Sequence, residues 1–199
     1  MNIKKIVNTT LLFAAKRLTE ILGFLVFSSG IILLISLISY SPEDPNFIFP
    51  ENTEIKNLLG IKGSYISDIF FQSIGLISYL VSLTLIFTGI NIIFKKNFFL
   101  LIKNIFYSIF YSIFGSLFLN HFYNTTFALF INGNGGFIGN YLNENFFKSL
   151  IIVNENIFYY FLIVLIIIFF LLSVNFSLNK FYNFFRNIKL FNFKKNQNY

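Results

Sequence analysis

Three groups of residues in this chain have types and spacings that could do chemistry. Glu43 and Asp44 stand side by side in Ser39-Tyr40-Ser41-Pro42-Glu43-Asp44-Pro45-Asn46-Phe47. His121 is the single histidine, and glycines cluster in Gly133-Asn134-Gly135-Gly136-Phe137-Ile138-Gly139. Paired carboxylates can divide acid and base work, a histidine can relay protons or ligate a metal, and a glycine-rich loop can cradle phosphate. None of the three meets the demands of its chemistry. Neighbouring acids in a proline turn do not face each other across a cleft. His121 would have to recruit Glu144 or Glu155 from other loops to hold zinc, which takes three or four ligands. In the glycine cluster Ile138 occupies the third glycine position of G-x-G-x-x-G, and the flanks lack the strand and helix that this motif needs. The chain contains no G-x-x-x-x-G-K-[ST], G-x-S-x-G or H-E-x-x-H. An enzyme is therefore not expected, nor is a cofactor or a metal site.

The elements that must position these residues are unusually apolar. The chain has 199 residues, of which 56% are hydrophobic, 21% aromatic and only 12% charged, with 31 Phe and no Cys. Soluble domains carry about twice that share of charge. The apolar residues fall in blocks of about 20, the length a helix needs to cross the roughly 30 Å of a hydrocarbon core. The blocks run from about Ile21 to Ser39, Ile69 to Phe94, Ile105 to Tyr123 and Ile157 to Val174. The expected fold is all-α: a polytopic membrane protein with four transmembrane helices over residues 1–178, and a cytoplasmic basic amphipathic tail over 179–199. The first block is too long for a signal-peptide core and is followed by no small-x-small cleavage site, so it reads as an uncleaved span. Between the last two blocks, Asn-Gly and Gly-Gly steps mark an ordered loop with short interfacial helices.

Charge orients the spans. With the amino end in the cytoplasm, only Lys56, Lys62 and Lys148 of the 15 basic residues lie outside. This is the positive-inside pattern, and it puts both termini in the cytoplasm. It also accounts for most of the net charge of +7, so direct nucleic-acid binding is not expected. In the tail, Phe181, Phe184, Phe185, Ile188 and Phe191 share one helical face. That face suits a helix lying on the membrane with its bases near anionic lipid. Stacking of the same aromatics on single-stranded nucleic acid is the other reading of this segment.

Small residues mark where helices can approach closely in a bilayer. Ser108, Ser112, Gly115 and Ser116 on the third span, with Gly75, Ser78, Ser82 and Gly89 on the second, predict tight packing of these two. The first span offers Ser28, Ser29 and Gly30. The fourth has nothing small before Ser173 and should be the most lipid-exposed. Gln72, Asn91, Asn120 and His121 lie near span ends and read as interfacial anchors or interhelical hydrogen bonds. No Asp, Glu, Lys or Arg lies at a span centre, which counts against the alternative of a small transporter or channel subunit. Pro42 and Pro45 end the first span, and Glu43 and Asp44 should hold that end in water.

The order of these pieces resembles the amino-terminal four-span membrane domain of the FtsK/SpoIIIE bacterial DNA translocases. The resemblance is carried by Tyr40, Ser41, Pro42, Asp44 and Pro45 after the first span, and by Leu59, Gly60, Gly63, Tyr65 and Asp68 ahead of the second. Within the second it rests on Gln72, Gly75, Leu76, Tyr79 and Leu80. It implies a membrane anchor in the bacterial inner membrane, acting at the septum in cell division and chromosome segregation. Its implied partners are membrane lipid, further copies of the chain and other division-site membrane proteins. The chain stops about where the family's linker begins, so the resemblance implies no motor activity here, and either a separated membrane part, a split gene, or a truncated version whose ATP-driven motor lies on another chain.

Overall fold

The computed structural model describes residues 3–45, 54–124, 129, 132–147 and 154–176, with side chains from residue 8 onward. The tail expected over 179–199 lies outside the described residues. The elements are α1 (Ile3–Ile38), α2 (Gly60–Ile74), a 3₁₀ turn (Gly75–Ile77), α3 (Ser78–Lys95), α4 (Phe99–Tyr123), α5 (Gly136–Leu142), a π-helical turn (Asn143–Phe147) and α6 (Glu155–Ser173). All elements among the described residues are helical, as an all-α fold requires. Among the described residues, four helical runs are long and apolar enough to cross a membrane: Asn8–Ile38, Gly60–Lys95, Phe99–Tyr123 and Glu155–Ser173.

Local chemistry sets the breaks. α1 stops at Ile38, four residues before Pro42, whose ring restricts the preceding backbone and removes a donor. α3 ends at Lys96, which takes a left-handed conformation (φ 52°) and donates its amide to the Ile92 carbonyl at 2.8 Å. Asn97 then accepts from the amide of Phe99 at 2.9 Å, starting α4 within two residues. Asn154 caps α6, its side chain accepting from the amides of Asn156 and Ile157.

The apolar block from Ile69 to Phe94 is not one element. Its helix begins nine residues earlier, at Gly60, and is jointed at Gly75, where φ +64° and ψ −146° interrupt the helix. Hydropathy misses the early part because Lys62, Ser64, Ser67 and Asp68 dilute it. The joint requires glycine for two reasons. L-residues avoid that backbone region, and a Cβ there would overlap the Asn134 carbonyl that accepts from the amide of Leu76 at 3.0 Å.

The helices alternate in direction. α1 and α3 are antiparallel and form the most extensive interface of the fold. A Cβ at Gly23 would lie 3.0 Å from the Ile93 amide, and one at Gly30 2.7 Å from that of Ile86. One at Gly89 would lie 2.6 Å from the Gly23 carbonyl. Small residues at these positions let the two backbones meet. α4 pairs chiefly with α6, through rings: Phe169 stacks against Phe110 at 5.1 Å and Phe114 at 5.9 Å.

The second and third spans meet at the joint, where Gly115 lies against Ile77 and Ser116 bonds Ile74, and again where Asn104 bonds Thr88, but the closest backbone approach of α3 is to α1. The glycine of α3 that mattered, Gly89, faces α1 instead, and Gly23, which the sequence reading passed over, supplies the other half of the contact. α6 is the least buried of the four long helices, with Leu162 and Ser173 its buried residues.

Candidate functional site

The residues carrying the resemblance gather at one end of the bundle, where α1 ends. Tyr40 is half-buried there, its ring 4.8 Å from that of Phe71 in an edge-on contact, and Phe71 meets Tyr79 in the same way at 5.6 Å. The Tyr79 hydroxyl donates to the carbonyl of Leu37 at 3.1 Å and ties α3 to the last turn of α1. Burial, and after it the nearby carboxylates of Asp68 and Asp44, push the Tyr40 phenol up to about 12. The phenol stays neutral because a second negative charge in that space is disfavoured.

Asp44 does not stand in water as expected. It is 3% exposed, and its two carboxylate oxygens accept from the amides of Lys56 and Asn57, each at 2.8 Å. The prolines on either side turn the chain so that this carboxylate points back into the fold, where charge-assisted hydrogen bonds replace its hydration. Glu43, by contrast, is exposed and paired with Lys56. That pairing holds the Glu43 carboxyl below, and the Lys56 ammonium above, their ordinary ranges. Two adjacent acids thus differ in setting: two backbone amides receive the buried Asp44, whereas the exposed Glu43 meets the Lys56 ammonium.

The latch continues inward. Asn57 donates to the Ser36 carbonyl at 2.9 Å, and the Ser36 hydroxyl donates to the Gly63 carbonyl. Ser64 donates to the Pro45 carbonyl at 2.6 Å. Gly63 has no room for a Cβ beside Asn57 and Leu59, and Gly60 sits at φ +65°, opening the turn into α2. Asp68 is buried on α2, with the Gln72 amide 3.4 Å from its carboxylate. Asn132 donates to Gln72 Oε1 at 3.0 Å. Pro42 is exposed and Tyr65 half-buried.

The glycine cluster closes the same end. Asn134 is fully buried and donates to the Tyr123 carbonyl. A Cβ at Gly136 would lie 2.6 Å from the Gly75 amide. Ser116 donates to the Ile74 carbonyl at 2.9 Å, and Gly115 lies against Ile77, so these residues of α4 face the joint. Ser112 is buried on the same helix. Ser108 is half-buried and bonds within α4, to the Ile105 carbonyl at 2.7 Å. Asn120 pairs with Asn140, and His121 Nδ1 with Asn143 Oδ1 at 3.0 Å, both between α4 and the glycine-rich loop's helical turns. Among the described residues no three His, Cys, Asp or Glu side chains come together as metal ligands.

A second polar cluster lies toward the other end, where Lys96 pairs with Glu20 at 2.7 Å. Sequence reading missed it. Thr84 bonds Tyr111 at 2.9 Å and Ser173 at 3.0 Å; Asn104 donates to Thr88 at 2.8 Å and accepts from Asn175 at 2.8 Å. Asn91 donates to the Val174 carbonyl at 3.2 Å, as an interhelical bond. The available signal was the spacing of Thr84, Thr88 and Asn91, which puts three polar side chains on one face of α3.

What both clusters can do is join segments, since their polar atoms are spent on one another. The fold they build is that of a four-helix membrane domain whose α1 exit, α2 and glycine-rich loop are knotted at one end. The sequence profile of the 4TM region of DNA translocase FtsK/SpoIIIE matches residues 15–186. The chain belongs to this family. It is similar to the DNA translocase FtsK of Azospirillum brasilense, 32% identical over 87 residues, which are 43% of this chain and 14% of that protein. The Rickettsia typhi DNA translocase FtsK is 33% identical over 72 residues, 36% of this chain and 10% of the relative. That of Rickettsia prowazekii is 37% identical over 62 residues, 31% and 8% respectively. The matched stretches are thus a small part of these relatives. No solved structure matches the chain with statistical support.

Proposed function

We propose that this chain anchors an FtsK-type assembly in the bacterial inner membrane at the division site, with both termini in the cytoplasm. The observation that carries the reading is the family match over residues 15–186, which takes in the first long apolar helix from Ala15 onward and the other three whole. Positive-inside asymmetry supports the orientation, since Lys56, Lys62 and Lys148 are the only bases assigned outside. The DNA translocation of the relatives requires an ATP-driven motor, and residues 1–199 contain no Walker A sequence. In this reading the motor is supplied outside residues 1–199, and the membrane domain fixes where it works. Holding several copies at one membrane site raises the effective concentration of their cytoplasmic partners without any new contact. The residues proposed to matter are those that build the knot: Tyr40, Asp44, Pro45, Gly60, Gly63, Asp68, Gln72 and Gly75, with Ser112, Gly115 and Ser116 behind the joint. Imaging of a fluorescent fusion at native expression tests the reading. It predicts enrichment at the septum of dividing cells, and uniform membrane staining in those cells would overturn it.

A further inference from the structure

We infer that the last helix is clamped where the chain leaves it. α6 is otherwise loosely held: it is the least buried long helix, and its flank meets α4 mainly through rings. Its final turn is different. Ser173 bonds Thr84 at 3.0 Å, the Val174 carbonyl accepts from Asn91 at 3.2 Å, and Asn175 donates to Asn104 at 2.8 Å while accepting from Lys103 at 2.9 Å. Every partner belongs to α3 or α4. Asn104 and Thr84 are buried, and they are themselves fixed by Thr88 and Tyr111.

Two features make this a clamp and not incidental pairing. Asn175 takes a left-handed backbone (φ 53°), which ends the helix and folds its amide back toward Asn104, and asparagine tolerates that conformation better than most residues. The bonds also tie three successive residues, Ser173, Val174 and Asn175, to two neighbouring helices, so displacing the α6 end strands several polar groups in an apolar setting. The last turn of α6 is therefore fixed to α3 and α4, and force applied to that turn loads both partners as well as α6. This use rests on the anchor reading; the geometry does not.

The natural chain has no cysteine, so introduced pairs can be spin-labelled cleanly. Labels at Phe94 and Phe176, both exposed, report the clamp, and labels at Ile69 and Tyr160 report the opposite end. In the full chain in lipid nanodiscs, the first pair should give one narrow distance. Asn104→Leu should broaden it and add a longer component, leaving the second pair unchanged. Asn175→Gly removes the same amide and permits the left-handed backbone, so it decides the matter even where Asn104→Leu fails to fold. An unchanged Phe94–Phe176 distribution in Asn175→Gly would overturn the clamp. Loss of septal enrichment in the imaging experiment would overturn the anchor reading and leave this result standing.

Discussion

The bundle joins its helices in two ways. α1 and α3 touch backbone to backbone through Gly23, Gly30 and Gly89, whereas α4 and α6 are separated by a layer of rings. In a bilayer no water-driven force distinguishes the two, because lipid is as apolar as a side chain. The glycine contact works by fit: it is close, and it has no room for one added carbon. The ring contact works by area, and lipid chains can fill much of what a truncated ring leaves. The first should therefore be brittle toward enlargement, the second tolerant of reduction.

Gly89→Leu tests the brittle side and has the largest expected effect. Its side chain would meet the Gly23 carbonyl and the Phe27 backbone, which cannot move as a flexible side chain does. Overpacking of this kind costs up to about 3 kcal/mol, read as a lower unfolding midpoint in mixed detergent, with α1 released from α3. Asp44→Ala comes next, because it leaves the buried amide of Asn57 and the part-buried amide of Lys56 without their carboxylate acceptor. Unpaired buried donors of this sort cost about 1–3 kcal/mol. Proteolysis between α1 and α2 should accelerate in that variant.

Phe169→Leu tests the tolerant side. It removes stacking on Phe110 and Phe114 and should lower stability by no more than about 1 kcal/mol. A loss as large as that of Gly89→Leu would erase the distinction between the two interfaces. The smallest effect belongs to Glu43→Gln, beside the sensitive Asp44. Both Glu43 and its partner Lys56 are exposed, and solvent screens such pairs. Because the folded protein holds the Glu43 carboxyl below its ordinary value, its small contribution is present at neutral pH and fades as the solution is acidified past that value. Thermal midpoints of wild type and Glu43→Gln should converge as pH falls.

Much of this was legible in the sequence, but unevenly. Block length gave the number of long apolar helices, and the paired prolines gave the end of α1, because both depend on local chemistry alone. The partner of each helix was not legible. Gly75, Ser78 and Gly89 lie in one apolar block, yet Gly89 faces α1 while Gly75 faces the glycine-rich loop. Residue spacing names a face of a helix and leaves open which neighbour covers it. Asp44 shows the same gap: hydropathy assigns a carboxylate to water, and only the fold reveals the two amides waiting for it. The clamp at Asn104 was missed because uncharged polar residues carry little weight in a search for charge.

The central claim is a four-span anchor with both ends in the cytoplasm, and cysteine accessibility in intact cells tests it most directly. Single cysteines at Asn8, Glu54, Asn145 and Asn198, in a chain that has none of its own, are exposed to a membrane-impermeant thiol reagent. The account predicts labelling at positions 54 and 145 in intact cells, and at 8 and 198 only after the membrane is opened. Labelling of position 8 or 198 in intact cells would contradict it.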